Sequence, residues 1–257
     1  MFQKLRKSKK LLLIAMACAT FAIAGCGSDT TKNTADNGNA VTWSETFDGT
    51  KTDFAVKSAP THAVSMSQAT TEMMLQLGLE DKMAGTAFKE EEIYPPLQAA
   101  YDKVKVLSDK WPSYEVFMSV KPDFATGWPD SFSKRAIPAD KMISQKVNIW
   151  LPESMLSTKA DLETNFSDMI KLGEIFGVKS KAEEWVADQR KTLAAIQNKL
   201  KDLPRKRVFI YDSEDGQPFT AFEGYTTNIL KLIGADNVMS GLGVDKTWAK
   251  GSWETVI

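Results

Sequence analysis

Residues 180–204 read "SKAEEWVADQRKTLAAIQNKLKDLP". Ala182, Trp185, Gln189, Leu193, Ile196 and Leu200 fall three or four apart, the spacing of one helical face. Ser180 followed by Glu183 predicts a capping box at the start, and Pro204 predicts the stop. At ~1.5 Å per residue, Ser180 to Leu203 reaches roughly 35 Å, the length of a small domain. A second helical pattern, "TKADLETNFSDMIKLGEIFG" (158–177), runs into it and ends on Gly177. Residues 158–204 are therefore read as a helical segment that separates two stretches of different pattern.

Upstream, short apolar strands alternate with helical runs. "VTWSETFDGTKTDFAV" (41–56) alternates on both sides of Asp48-Gly49, a hairpin signal. "HAVSMS" (62–67) reads as a strand leading into the helix "QATTEMMLQLGL", with Gly78 just past its end. "MAGTA", "YPPLQAAYDKVKVL", "DFATGW" and "VNIW" supply further strands. Strand alternating with helix predicts a mainly parallel sheet with helices on both faces. Downstream the pattern resumes in "RVFIYD", "PFTAF" and "TTNILKLIGADNV". The fold class read from this is α/β, with two Rossmann-like lobes (41–157 and 205–257) joined by a single long helix.

One short motif occurs twice. "PSYEVFMSVKPD" (112–123) and "GSWETVI" (251–257) share serine, aromatic, glutamate and an apolar run. The first copy has a serine N-cap, an acid in the first turn and a Lys-Pro-Asp stop. The second has no stop, so the second lobe is expected to be incomplete.

The first residues carry an address. Lys4, Arg6, Lys7, Lys9 and Lys10 precede the apolar stretch Leu11–Ala24, which is short for a bilayer span. "IAGC" (23–26) resembles the bacterial lipobox, which makes 1–25 a signal peptide and Cys26 the lipidated first residue of the mature chain. Residues 26–40 read as a flexible tether. The expected location is outside the cytoplasm, anchored by lipid to the bacterial membrane. With Cys18 lost and Cys26 acylated, disulfides, thiol nucleophiles and cysteine metal clusters are excluded. The whole chain carries −1 and the leader +5, so the mature part carries −1 − 5 = −6, a poor balance for nucleic acid.

The ordered set "HAVSMSQATTEMMLQLGLEDKMAGTA", "YPPLQ", "PSYEVFMSVKPDFATGW", "RVFIYD", "PFTAF", "ILKLIGADNV" and "SWETVI" resembles the substrate-binding proteins of ABC importers for iron–siderophores, haem and cobalamin. The resemblance runs from His62 to the end. It implies two α/β lobes on one stiff helical hinge, a large metal chelate bound in the cleft between them, and an ABC permease with its ATPase as partners. No directly bound cofactor is implied; any metal arrives inside its chelator. The single histidine, His62, agrees, since importers of bare zinc or manganese cluster histidines with carboxylates.

The resemblance also implies residue roles. Glu115 and Glu254 fall where each lobe meets arginines of the permease, although a first-turn acid favoured by the helix dipole gives the same pattern. Tyr94, Trp111, Trp128, Phe219 and Trp248 fall where relatives place aromatic rings around broad ligands. Trp150 and Trp185 are expected in the core. In "GWPDSFSKR", Ser131 is a hydrogen-bonding candidate, and Lys134 and Arg135 are candidates for an anionic ligand or a solvated pair. Tyr211 and Glu223 are further cleft candidates. The readings kept beside the importer are an exported lipid-anchored hydrolase of glycosidase type and a truncated surface protein that binds without transporting. No spacing singles out a carboxylate pair for the former.

Overall fold

The computed structural model describes residues 40–256; the leader, Cys26 and most of the tether lie outside the described residues. Strands β1 (Val41–Phe47) and β2 (Thr50–Val56) pair antiparallel with Phe47 opposite Thr50. Asp48 and Gly49 have φ of 47° and 78°, the left-handed pair of a two-residue hairpin turn.

The chain then alternates as β3 (Ala63–Ser65), α1 (Gln68–Gln76), β4 (Met83–Ala87), α2 (Gln98–Tyr101), β5 (Val106–Ser108), α3 (Tyr114–Ser119), β6 (Phe124–Thr126), α4 (Ala139–Ser144) and β7 (Asn148–Trp150). Strands β3 to β7 form one parallel sheet in the order β5-β4-β3-β6-β7. Successive strand residues face opposite cores. Ala63, Phe124 and Trp150 join Met73 and Met74 of α1 and Leu77 just past its end. Val64, Ala125 and Ile149 join Phe117 of α3 and Met142 of α4. The central strands β3 and β6 are buried on both faces and mainly apolar, as a buried parallel sheet favours, with Ser65 and Thr126 at their carboxyl ends.

Two helices follow. α5 (Leu162–Ile175) and α6 (Lys179–Leu200) pack Phe166, Met169 and Leu172 with Ala182 and Val186 into the first of these cores. They cross closely at Gly173, where an added Cβ would stand 2.7 Å from Ala182 Cβ. The 22 residues of α6 give a rod of about 33 Å. The capping box expected at Ser180 and Glu183 is not there. Gly177 turns the chain at φ 70°, and α6 starts from Val178, with no side-chain cap. The reciprocal box sits on α5, where Asp161 caps Thr164 N and the Thr164 hydroxyl returns to Asp161 N. The apolar stripe is buried only at its start. Ala182 and Val186 are covered, whereas Ile196 is 40% exposed.

The remaining elements are β8 (Lys206–Val208), β9 (Tyr211–Glu214), β10 (Pro218–Ala221), α7 (Tyr225–Leu232), β11 (Ala235–Asn237), β12 (Trp248–Lys250) and α8 (Trp253–Val256). "RVFIYD", expected as one strand, is split. β8 pairs parallel with β11, and β9 joins an antiparallel sheet β12-β10-β9. Asn237 ties the two sheets, donating to Ala221 O at 2.8 Å and to the Thr227 hydroxyl at 2.7 Å.

The segment between β7 and α5 is held by two buried carboxylates. Glu45 of β1 accepts from Leu151 N at 3.0 Å. Asp168 of α5 accepts from Glu153 N and Ser154 N, both at 2.9 Å. From the other side, Asn228 Nδ2 of α7 donates to Ala160 O at 2.8 Å, and Thr158 donates to Asp245 at 3.1 Å. The crossing between the two sheet systems is thus anchored from both.

Candidate functional site

The strand order reverses between β3 and β6: β4 and β5 lie to one side of β3, β6 and β7 to the other. Open α/β sheets bind ligands at such a switch point, beyond the carboxyl ends of the strands. Here that edge carries Ala69 and Met73 of α1, Trp128 just past β6, and Ser154 and Met155 past β7. Facing them across a cleft of about 270 Å³ are Glu223, Tyr225 and Thr226 at the start of α7, and Thr247 and Trp248 at β12. Two tryptophans thus stand on opposite walls.

Each wall is braced. The Trp128 indole donates to Glu90 Oε2 at 3.3 Å. The Glu90 loop is fixed in turn by Gln68 of α1, whose side-chain oxygen accepts from Glu90 N at 3.0 Å and Glu91 N at 2.7 Å. Beneath α1 lies a run of buried hydroxyls. Thr71 meets Ser65 at 2.8 Å and Thr86 at 2.6 Å, and Thr70 meets Ser65 at 2.7 Å and Ser67 at 2.8 Å. Such a satisfied network fixes the end of the sheet in one arrangement. On the far wall Trp248 stacks on Phe219, centroids 6.1 Å apart and planes at 22°. Glu223 accepts from Gly241 N at 2.7 Å and from the Ser240 hydroxyl at 3.2 Å. Gly224, at φ 86°, caps α7 where a Cβ would meet Thr247 Cγ2 at 2.9 Å and Ser157 O at 3.1 Å. Only glycine lets the wall close this tightly.

The electrostatics of the cleft are acidic and sparse. Among the described residues, Glu223 is the one carboxylate of the lining, and no lysine or arginine lines it. Burial, helped by the negative field of Asp168, pushes the Tyr225 hydroxyl up, so it stays a neutral donor. Burial also raises Asp168, against the hydrogen bonds it accepts around Ser154. Glu45 and Asp168 point their carboxylates at backbone N–H groups of 151–154. Among the described residues no group of three or more His, Cys, Asp or Glu side chains forms a metal nest.

Of the sequence-named cleft residues, Trp128, Trp248 and Glu223 line the cleft, and Phe219 backs Trp248. The structure does not bring the others there. Ser131 is fully buried, because the turn Pro129–Phe132 folds it inward and its hydroxyl donates to Met66 O. Arg135 is exposed and paired with Asp130 at 2.6 Å. Trp111 donates to Met66 O at 3.1 Å and stacks on Phe88 at 4.7 Å. Tyr94 is 55% exposed and lines a neighbouring groove of about 660 Å³ with Glu72, Trp185 and Asp188. Tyr211 stacks on Trp253, outside the cleft. Trp150 is core, and Trp185 is half-buried on the rim of that groove. Sequence reasoning missed Tyr225 and Met155, for which the start of α7 and a place just past β7 were the available signals.

The two Ser-aromatic-Glu motifs fold alike. Ser113 caps α3 by accepting from Val116 N, and Glu115 takes the second helical position, exposed. Ser252 accepts from Glu254 N ahead of α8, and Glu254 takes the same position, also exposed. Backbone N–H and serine hydroxyl groups lower both carboxyls, so both are ionised.

Residues 64–257 match the family described as "Periplasmic binding protein". A crystal structure of a periplasmic binding protein from Veillonella parvula dsm 2008 is 98% identical, with a TM-score of 0.84 over 86% of this chain and 74% of its own. YvrC of Bacillus subtilis, named an uncharacterized ABC transporter substrate-binding lipoprotein, is 25% identical over 98% of this chain and 78% of itself. The vitamin B12-binding protein of Vibrio vulnificus is 25% identical over 73% of this chain and 65% of its own length.

Proposed function

This chain belongs to the periplasmic binding protein family, and on that premise we propose that it is the extracytoplasmic binding component of an ABC importer. It holds a large metal chelate between Trp128 and Trp248 and hands it to a permease and its ATPase. The observation that carries this is the cleft itself: aromatic walls from two sheet systems meet at the switch point of the parallel sheet. Broad rigid ligands gain apolar contact there at little entropic cost to the protein. The names of YvrC and of the B12-binding relative support the reading. Within it, residues 41–157 and 205–257 act as the two lobes, 158–204 as the hinge, and Cys26 as the lipid anchor.

Docking falls to Glu115 and Glu254, two ionised carboxylates at matching helix starts. Rim charges of this kind set orientation and association rate more than affinity. The test is Glu115→Ala in cells that carry the permease. Uptake of the chelate is expected to fall severalfold while the affinity of the purified protein for it stays unchanged. Uptake at the unmutated level would remove Glu115 from the interface. A loss of affinity would move it into ligand binding.

A further inference from the structure

We infer that the cleft selects neutral or cationic chelates and disfavours anionic ones, an inference that rests on the importer reading. Among the described residues, the lining of the cleft contains a carboxylate, Glu223, and no basic side chain. Glu223 is not mobile surface. Gly241 N and the Ser240 hydroxyl hold it in place, so its charge stays where a ligand must pass. The opposite rim is acidic as well. Glu90 accepts from the Trp128 indole and begins the run Glu90-Glu91-Glu92, of which Lys89 offsets one charge. Gln68 pins that loop to α1 through Glu90 N and Glu91 N.

The basic residues nearest in sequence are not among the described lining residues. Arg135 is paired with Asp130, Lys250 with Asp215, and Lys134 and Lys246 are exposed. The aromatic walls add to the same preference. The faces of Trp128, Trp248 and Tyr225 carry negative quadrupole potential, which attracts cations and repels anions. In a partly desolvated cleft an uncompensated anion beside Glu223 is opposed twice, by its own lost hydration and by the carboxylate.

The experiment is titration of tryptophan fluorescence with four purified probes. They are cyanocobalamin, a neutral corrinoid; ferrioxamine B, a monocationic ferric trihydroxamate; haemin, with its propionates; and ferric enterobactin, a trianionic ferric catecholate. Cyanocobalamin or ferrioxamine B is expected to bind at least about tenfold tighter than either anion, a difference of about 1.4 kcal/mol. Glu223→Gln keeps the acceptor for Gly241 N and removes the charge. It is expected to narrow the gap between cation and anions severalfold, by strengthening the anions or weakening the cation. Added salt is expected to narrow the gap in the same way. Tightest binding by haemin or ferric enterobactin would overturn the inference and leave the importer reading standing. A gap that Glu223→Gln leaves intact would overturn the role given to Glu223. Failure of all four probes to bind would refute the chelate reading and the inference with it.

Discussion

Replacing Glu45 by glutamine is expected to stabilise this protein, and only above a definable pH. Glu45 lies on β1, 8% exposed, with Oε1 3.0 Å from Leu151 N. Burial pushes its carboxyl from 4.5 to about 7; the Leu151 N–H opposes the shift, and the negative fields of Glu153 and Asp168 add to it. Because the folded value lies above the unfolded one, the folded state holds a proton that the unfolded chain has already released between 4.5 and about 7. Stability therefore falls as pH rises through that window, and the full penalty is present above it. At about 1.4 kcal/mol per pH unit the penalty is about 3 kcal/mol. Glutamine keeps the acceptor for Leu151 N and carries no charge. Thermal melts of wild type and Glu45→Gln from pH 4.5 to pH 8 isolate this group from every other titration. The two midpoints are expected to converge at the acid end. At pH 8 the variant should melt roughly 6–12 °C higher, at 2–4 °C per kcal/mol for a chain of this size. A gap that does not vary with pH, or a variant that melts lower at pH 8, would refute the reasoning.

Two further outcomes follow from the packing. Gly173→Ala puts a Cβ 2.7 Å from Ala182 Cβ and 3.2 Å from Lys179 Cα, which must spread α5 from α6. The expected loss is about 1–3 kcal/mol, read as a shifted urea midpoint, and an unshifted midpoint would mean the crossing is looser than described. Trp248→Ala removes one cleft wall and the stack on Phe219. The affinity for a bound chelate should drop at least about tenfold, whereas Trp185→Phe, in the neighbouring groove, should leave it unchanged.

The N-terminal sheet was legible because its strands are short, apolar and each followed by a helical run. Alternation such as Ala63 against Val64 gives the central strands two buried faces. The hairpin was legible from Asp48-Gly49, whose left-handed φ values suit few other pairs. The second half was harder. Nothing local in "RVFIYD" marks the break between β8 and β9, because it is imposed by their partners: β11 lies beyond α7, and β10 returns antiparallel. The capping box at Ser180 failed for a similar reason. Gly177 brings α5 directly into α6, so the helix begins before the serine is reached.

For the site, position after a strand was a sound guide to Trp128, and the start of α7 would have given Tyr225. Side-chain chemistry read without geometry was a poor one. Ser131 and Arg135 carry suitable groups, yet a single turn at Pro129–Phe132 buries the first, and Asp130 engages the second. The same turn explains why the cleft is less basic than "GWPDSFSKR" implies.

Hydrogen–deuterium exchange with and without saturating chelate tests the central claim most directly. The cleft between Trp128 and Trp248 predicts slowed exchange in peptides covering 126–130, 152–156, 223–227 and 246–249, from both sheet systems together. Protection confined to 94–97 and 185–189, the neighbouring groove, would place the ligand elsewhere and contradict the account.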